Sequence, residues 1–306
     1  LALAARSAAK NGVGERCGNM DLIPLIANLQ LKYDLECLRP GTLSKLTEVS
    51  RYVYETANLN LVPGQPYVGS SAFAHKGGMH VHAVQKDVST YEHVSPETVG
   101  NSRKILISEL SGASNIAAKA GKKFDIEADK TILRRVLEKV QTLENAGYQF
   151  EAAEASFELL LRKEIGRYRQ FFQLEHYRVV VLNASGIETV SEATVKLRVN
   201  ATPEHHVAEG DGPINALDKA LRKALTAHYA AIEQVHLTDY KVRVINSKDE
   251  TAAQVRVIIE CRRDRGDGAK EIFGTTGVSG NIIDASWQAL VDAYEYHLIQ
   301  VEEARA

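Results

Sequence analysis

The chain has 306 residues, 44% of them hydrophobic and 25% charged, a make-up that predicts a globular protein of about two domains. Its 37 basic and 39 acidic residues leave a net charge of −2, which argues against coating a polyanion such as nucleic acid. No apolar run approaches the roughly 18 residues of a membrane span. Three cysteines (Cys17, Cys37 and Cys261) are odd in number and lack CxxC spacing, excluding a disulfide framework or structural zinc and predicting a reducing, cytoplasmic setting.

In chain order, the opening LALAARSAAK carries an arginine inside its apolar run and no basic leader, so it reads as a helix and not as a signal peptide. Without an initiator methionine, the sequence is expected to start within a longer protein. Asn11 to Asn19 is a glycine-punctuated loop, followed by a helical run from Asp21 to about Leu38. A second helix starts at Gly41-Thr42, where Leu43, Leu46, Val49, Val53 and Tyr54 recur at helical spacing. A proline- and glycine-bearing connection, Val62 to Gly69, leads into the stretch between Ser71 and Asp87. There His75, His80 and His82 surround Gly77-Gly78. Imidazole is the side chain tuned for proton transfer near neutral pH; surface histidines in a turn are the plainer reading. His82 would share a face with His80 if this segment were extended.

Ser95-Pro96-Glu97 reads as a helix start, with proline at the first helical position where its missing N–H does no harm. Ser108 to Asn115 is polar and turn-like. Ile132, Val136 and Val140 mark one helix; Phe157, Leu160, Leu161 and Ile165 mark another. The polar stretch between them, Glu144 to Glu154, predicts a hinge near Gly147.

From Tyr177 the period changes. Tyr177 to Leu182, Thr194 to Val199 and about His206 to Glu209 read as strands, and Gly210-Asp211-Gly212-Pro213 opens a helix. Leu217, Leu221 and Leu225 share one face of that helix, with an Asp218–Arg222 pair on the other. The order then recurs. Tyr240 to Ile245, Val255 to Ile259 and Glu271 to Thr275 read as strands, and Gly277 to Asn281 opens a helix carrying Trp287, Leu290 and Tyr294. PINALDKAL aligns with IIDASWQAL when Ile214 is set on Ile283, an offset of 69 residues that pairs Ala216 with Ala285 and Leu221 with Leu290. Two tandem βββα units packing their helices together predict an α+β domain. A glycine-bearing turn at each helix N-terminus, with its free N–H groups, suits a carboxylate ligand and suggests a small-molecule sensor; tight-turn glycines are the alternative.

Three stretches together carry a family resemblance. NGVGERCGN at Asn11–Asn19, AFAHKGGMH at Ala72–His80 and YEHVSPETVG at Tyr91–Gly100 resemble NGxGERxGN, FAHxxGxH and Y-E-x-x-x-P-E-x-V-G. These are motifs of the metal-dependent acyltransferases that condense acetyl-CoA with a 2-oxo acid: the isopropylmalate, homocitrate and citramalate synthases. VGNSRKILISELSGASNI from Val99, EASFELLLRK from Glu154 and GVSGNIIDASWQALVDAYEY from Gly277 resemble the citramalate branch most.

The resemblance implies α/β and α+β architecture in three segments. Residues 1–60 would be a remnant of a catalytic TIM barrel, 61–170 mostly helical connector subdomains, and 171–306 an allosteric, dimer-forming regulatory domain. It further implies condensation of acetyl-CoA with pyruvate in isoleucine biosynthesis, a homodimer, a divalent metal (Zn, Mn or Mg) and feedback by an amino acid, isoleucine being the expected effector. Leucine would take that place in a 2-isopropylmalate synthase, and a stand-alone amino-acid-binding module is the remaining alternative. Residue by residue, Asn11 matches an oxygen ligand of the metal or a group close behind one. His80 matches the histidine of acid/base work and Tyr91 a tyrosine lining the same site. Gly277, Ser279, Gly280, Asn281 and Asp284 fall in the expected effector region. Glu15 and Arg16 are expected to hold their loop, and His82 to be a bystander.

The chain also departs from the family. Neither the D-x-T-x-R-D motif nor the HxHND motif that hold the metal occurs in it, and a helical segment abuts Asn11 where the family has a strand, as though about ten residues were missing. One amide oxygen does not hold a divalent ion, so the chain by itself is expected to lack synthase activity.

Overall fold

Alternation of apolar and polar residues builds the larger part of the fold. In the computed structural model, which describes residues 8–106, 116, 122–124, 129–185, 187–245, 253–264 and 270–305, Ala193, Val195, Leu197 and Val199 all face inward from one strand. Val257, Ile259 and Cys261 do the same from another. The chain divides into two compact units, Leu1–Glu127 and Ala128–Ala306.

The first unit contains short elements around loops. Strand β1 (Ala8–Ala9) pairs in parallel with β2 (Met20–Asp21), and α1 (Leu22–Lys32) and α2 (Leu46–Thr56) follow. Strand β3 (Ala74–His75) pairs in parallel with β4 (Lys104–Ile105), and between them lies α3 (Gly78–Lys86). Ile23, Ala27, Leu46, Val68, Phe73 and Val99 form the core of this unit. Several expectations are corrected here. The helix expected over the opening residues is a strand at Ala8–Ala9, whose backbone groups are satisfied by β2, and Leu1–Ser7 lie outside the described residues. Helix α1 stops at Lys32, six residues short of Leu38. Pro96 starts a single 3-10 turn, Pro96–Val99, and not a longer helix. The polar turn expected at 108–115 lies outside the described residues.

In the second unit, α4 (Lys130–Asn145) and α5 (Glu154–Glu164) precede two three-stranded antiparallel meanders. β5 (Phe172–Ala184), β6 (Ile187–Val199) and β7 (Thr202–Gly210) lead into α6 (Pro213–Thr226). β8 (Val235–Val244), β9 (Val255–Asp264) and β10 (Lys270–Ser279) lead into α7 (Ile282–Glu303). The two βββα units expected from the repeat are therefore present. Their aligned residues do the same job: Ala216, Ala285, Ala220, Ala289, Leu221 and Leu290 are all buried in one core shared by both sheets and both helices.

Two second-unit details add to the sequence reading. Asp218 and Arg222 pair at 2.9 Å, as the i, i+4 spacing predicts. Arg222 also donates to the carbonyls of Ile232 and Val235 and lies over the Tyr294 ring, while Tyr294 donates its hydroxyl proton to Asp218, so the pair joins α6 to α7. Gly147 is no hinge. Its φ of +102° ends α4 in the left-handed region, and its carbonyl accepts from Arg256 of β9 at 2.8 Å.

Candidate active site and effector turns

Asn11 sits at the head of the loop joining β1 to β2, with φ of +59°, a left-handed conformation that asparagine tolerates. Its amide bridges that loop to α2. Nδ2 donates to the Ser50 carbonyl at 2.7 Å, and Oδ1 faces the Ser50 hydroxyl at 2.6 Å and Gln65 Nε2 at 3.2 Å. Gln65 Nε2 also donates to Asp21 Oδ2 at 2.7 Å, and Asp21 Oδ1 caps α1 by accepting from Ile23 N at 2.9 Å. The Asn11 oxygen is thus occupied by hydrogen bonds. Among the described residues, no group of three His, Cys, Asp or Glu side chains is placed to hold a metal ion. A divalent cation of the magnesium type takes about six oxygen ligands, so the residues present do not fit one.

The histidine stretch is helical and not extended. His80 occupies the first turn of α3, so His82 lies about 200° around the helix and shares no face with it. The His80 ring stacks on Tyr91, with centroids 4.1 Å apart and planes 24° from parallel. Both side chains are exposed, so the pair presents itself to solvent on a fixed geometry. Behind it is a relay in which His75 and Glu92 are buried. His75 meets Tyr91 edge-on at 6.3 Å, and its Nε2 lies 2.9 Å from Glu92 Oε1. Arg103 donates Nε to Glu92 Oε1 at 2.7 Å and Nη2 to Oε2 at 2.6 Å, and this two-pronged contact holds the Glu92 carboxyl below its ordinary range despite burial. Glu92 neighbours Tyr91 in sequence, so the relay fixes the backbone from which Tyr91 reaches His80. Sequence reasoning singles out His80 and Tyr91 and misses Glu92 and Arg103. The available signal is a glutamate inside the YEHVSPETVG motif.

The residues expected at the effector turn divide between two elements. Gly277 and Ser279 belong to β10, and Gly280 and Asn281 form the link to α7. Gly277 is therefore no turn glycine. A Cβ there would run into the carbonyl oxygen of Ala285, so glycine is needed for α7 to lie this close to the strand. Asn281 caps the helix, its Oδ1 accepting from Ile283 N at 2.8 Å, and Ser279 Oγ accepts from Asn281 N at 3.1 Å. Asp284 accepts from Gln288 Nε2 at 3.2 Å and from the Tyr177 hydroxyl at 3.4 Å.

Domain models match in succession: the homocitrate synthase post-HMGL domain-like model over residues 67–147, and the LeuA allosteric (dimerisation) domain over residues 151–298. An (R)-citramalate synthase of Geobacter sulfurreducens is 50% identical over 297 residues, which is 96% of this chain and 55% of that protein. That of Aquifex aeolicus is 47% identical over 296 residues, with the same coverage of 96% and 55%. The Synechocystis (R)-citramalate synthase is 48% identical over 294 residues, covering 94% of this chain and 53% of the relative. The chain thus spans about half the length of the curated relatives it matches. With two family domains in order and 47–50% identity along nearly its whole length, the chain belongs to the family of the citramalate, isopropylmalate and homocitrate synthases.

Proposed function

We propose that this chain supplies the connector and regulatory parts of a citramalate synthase, which joins acetyl-CoA and pyruvate and, with water, yields citramalate and CoA in isoleucine biosynthesis. The supporting observation is the exposed His80–Tyr91 stack, held from behind by His75, Glu92 and Arg103. In the reaction a base removes a proton from the acetyl methyl group. The resulting carbanion bonds to the keto carbon of pyruvate, the keto oxygen gains a proton, and water cleaves the thioester to release CoA. His80 is the proton-transfer group in this scheme; Tyr91 sets the plane of its ring and brings a hydroxyl to the same site. Asn11 is the residue beside the metal's place that holds its loop in shape.

Residues 1–60 belong with the barrel, 61–170 with the connector and 171–306 with a regulatory domain that pairs two chains into a homodimer in the cytoplasm. Isoleucine is its effector, read at Gly277, Ser279, Gly280, Asn281 and Asp284. No helix among the described residues is long and apolar enough to cross a membrane.

This chain alone, lacking a metal site among its described residues, is expected to release no CoA from acetyl-CoA when given pyruvate and a divalent metal. Joined to the part of the Geobacter sulfurreducens synthase that it does not match, it is expected to release CoA with pyruvate and to be inhibited by isoleucine. Preference for 2-oxoisovalerate with inhibition by leucine would move the reading to isopropylmalate synthesis. A stand-alone amino-acid-binding module is the second reading, favoured by the separate core of Ala128–Ala306. Turnover by the joined protein would set it aside.

A further inference from the structure

His80 and Tyr91 are both exposed, and exposed side chains change rotamer on the picosecond-to-nanosecond scale. Their stack persists only where something holds the backbone beneath each ring. His80 stands in the first turn of α3, and that helix sets its place. Tyr91 has no such support. It follows the single 3-10 turn Val88–Thr90 at φ −133° and ψ −14°, and its N–H meets the Val88 carbonyl at a long 3.3 Å.

The support comes from the next residue. The Glu92 side chain is 3% exposed, and both of its oxygens are engaged. Oε1 accepts from Arg103 Nε at 2.7 Å and from His75 Nε2 at 2.9 Å, while Oε2 accepts from Arg103 Nη2 at 2.6 Å. Held ionised by Arg103, the carboxylate has no proton to give, so His75 carries one on Nε2. Both holders stand on one small sheet, His75 in β3 and Arg103 immediately before β4. Lys104 N donates to the Phe73 carbonyl and Leu106 N to the His75 carbonyl, each at 2.9 Å. The Tyr91 ring therefore has His80 against its face and His75 edge-on beside it, with the next side chain clamped to the same sheet. A planar guanidinium takes both oxygens of a carboxylate at once, which the single ammonium of lysine does not.

We infer that Glu92 is a positioning residue of this site. Arg103 and His75 fix its carboxylate, the carboxylate fixes Tyr91, and Tyr91 fixes the plane in which the His80 ring meets substrate. The inference rests on the reading of His80 as the proton-transfer group. Being buried, Glu92 acts through the stack and not on the reacting atoms. Its effect on the rate therefore vanishes where His80 is absent, whereas a purely structural role acts with or without His80.

Two readouts test this. In the full chain carrying ¹³C-labelled histidine, the His80 ring protons, assigned by their loss in His80→Ala, are expected to show an upfield ring-current shift from Tyr91. That shift is expected to disappear in Tyr91→Ala and to shrink in Glu92→Gln and Arg103→Lys. In the joined synthase, Glu92→Gln is expected to lower kcat by about 10²-fold, the usual cost of a misplacement of about 1 Å, with KM for pyruvate unchanged. The same substitution made on top of His80→Ala is expected to cost nothing further. Arg103→Lys, which keeps the charge and loses one prong, is expected to lower kcat in the same direction by less, and it decides the matter if Glu92→Gln fails to fold. An unchanged ring-current shift or an unchanged kcat in the folded variants overturns the inference, as does an equal loss of rate with and without His80. A joined protein whose rate does not depend on His80 refutes the proposed function instead, and the ring-current shift then decides the positioning role by itself.

Discussion

Glu295 gives the second unit an unusual pH response. It is 2% exposed on α7, accepts a hydrogen bond from the Tyr168 hydroxyl, and is pushed up to about 7 chiefly by burial, with Asp292 adding to the rise and Lys163 opposing it. The folded protein therefore binds this proton at a pH where the unfolded chain, titrating near 4.5, has already released it. Stability from this group is fully present below the unfolded value and is lost as pH rises through about 7. Each tenfold difference in proton affinity between the folded and unfolded chain is worth about 1.4 kcal/mol, so the loss between pH 5 and pH 8 is roughly 2–3 kcal/mol. Asp292, at about 6, acts in the same direction. His297, which burial lowers, acts in the opposite one, gaining stability as pH rises toward its ordinary value.

The variant Glu295→Gln isolates the Glu295 share, because His297 and most of the Asp292 contribution cancel in the difference. Urea unfolding followed by Trp287, the only tryptophan in the sequence, reports on this unit. Near pH 5 the variant and the parent are expected to have similar stability. At pH 8 the variant is expected to be more stable by roughly 2–3 kcal/mol. A variant with the parent's pH dependence, or one less stable than the parent at pH 8, would refute the burial argument.

Other perturbations test other contacts. Gly277→Ala places a Cβ against the Ala285 carbonyl, a backbone atom that cannot step aside, and is expected to lower urea stability by about 1–3 kcal/mol. Glu92→Gln breaks the contact with Arg103, whose side chain is 32% exposed and keeps some hydration; a loss of about 2 kcal/mol is expected, below the 3–5 kcal/mol of a fully buried pair. Because Glu92 titrates below its ordinary value, its support is present above that value and is lost as pH falls through the depressed one, a trend that melting curves of parent and variant would separate. Tyr294→Phe removes the hydroxyl that Asp218 accepts from, while Arg222 still holds that carboxylate. About 1 kcal/mol is expected from denaturant unfolding.

Strands are legible in the sequence where one face is buried and the other wet. Ala193 to Val199 and Val257 to Cys261 alternate because their inner faces join a single core. Strand β10 reads as ending at Thr275 because Gly277 speaks locally for a turn. It continues to Ser279 because that glycine lets α7 approach, a tertiary reason with no local trace. Helix α3 is hidden by the Gly77-Gly78 pair at its start, where glycine serves as the residue before the first turn. In the candidate site, motif resemblance identifies His80 and Tyr91 one by one. Their stacking, and the Glu92 contacts with His75 and Arg103 at separations of 17 and 11 residues, arise only when loops close on one another. Resemblance points the Asn11 amide toward a metal. Its actual partners, Ser50 and Gln65, come from 39 and 54 residues away.

The most direct test is acetyl-CoA-dependent CoA release with pyruvate by this chain joined to the unmatched part of the Geobacter sulfurreducens synthase, comparing His80→Ala with His82→Ala. The two histidines lie on different faces of α3, and only His80 stacks on Tyr91. His80→Ala is expected to lower kcat by about 10²–10⁴, the usual contribution of a positioned acid/base group, while His82→Ala keeps the parent rate. A folded His80→Ala protein turning over at the parent rate would contradict the account.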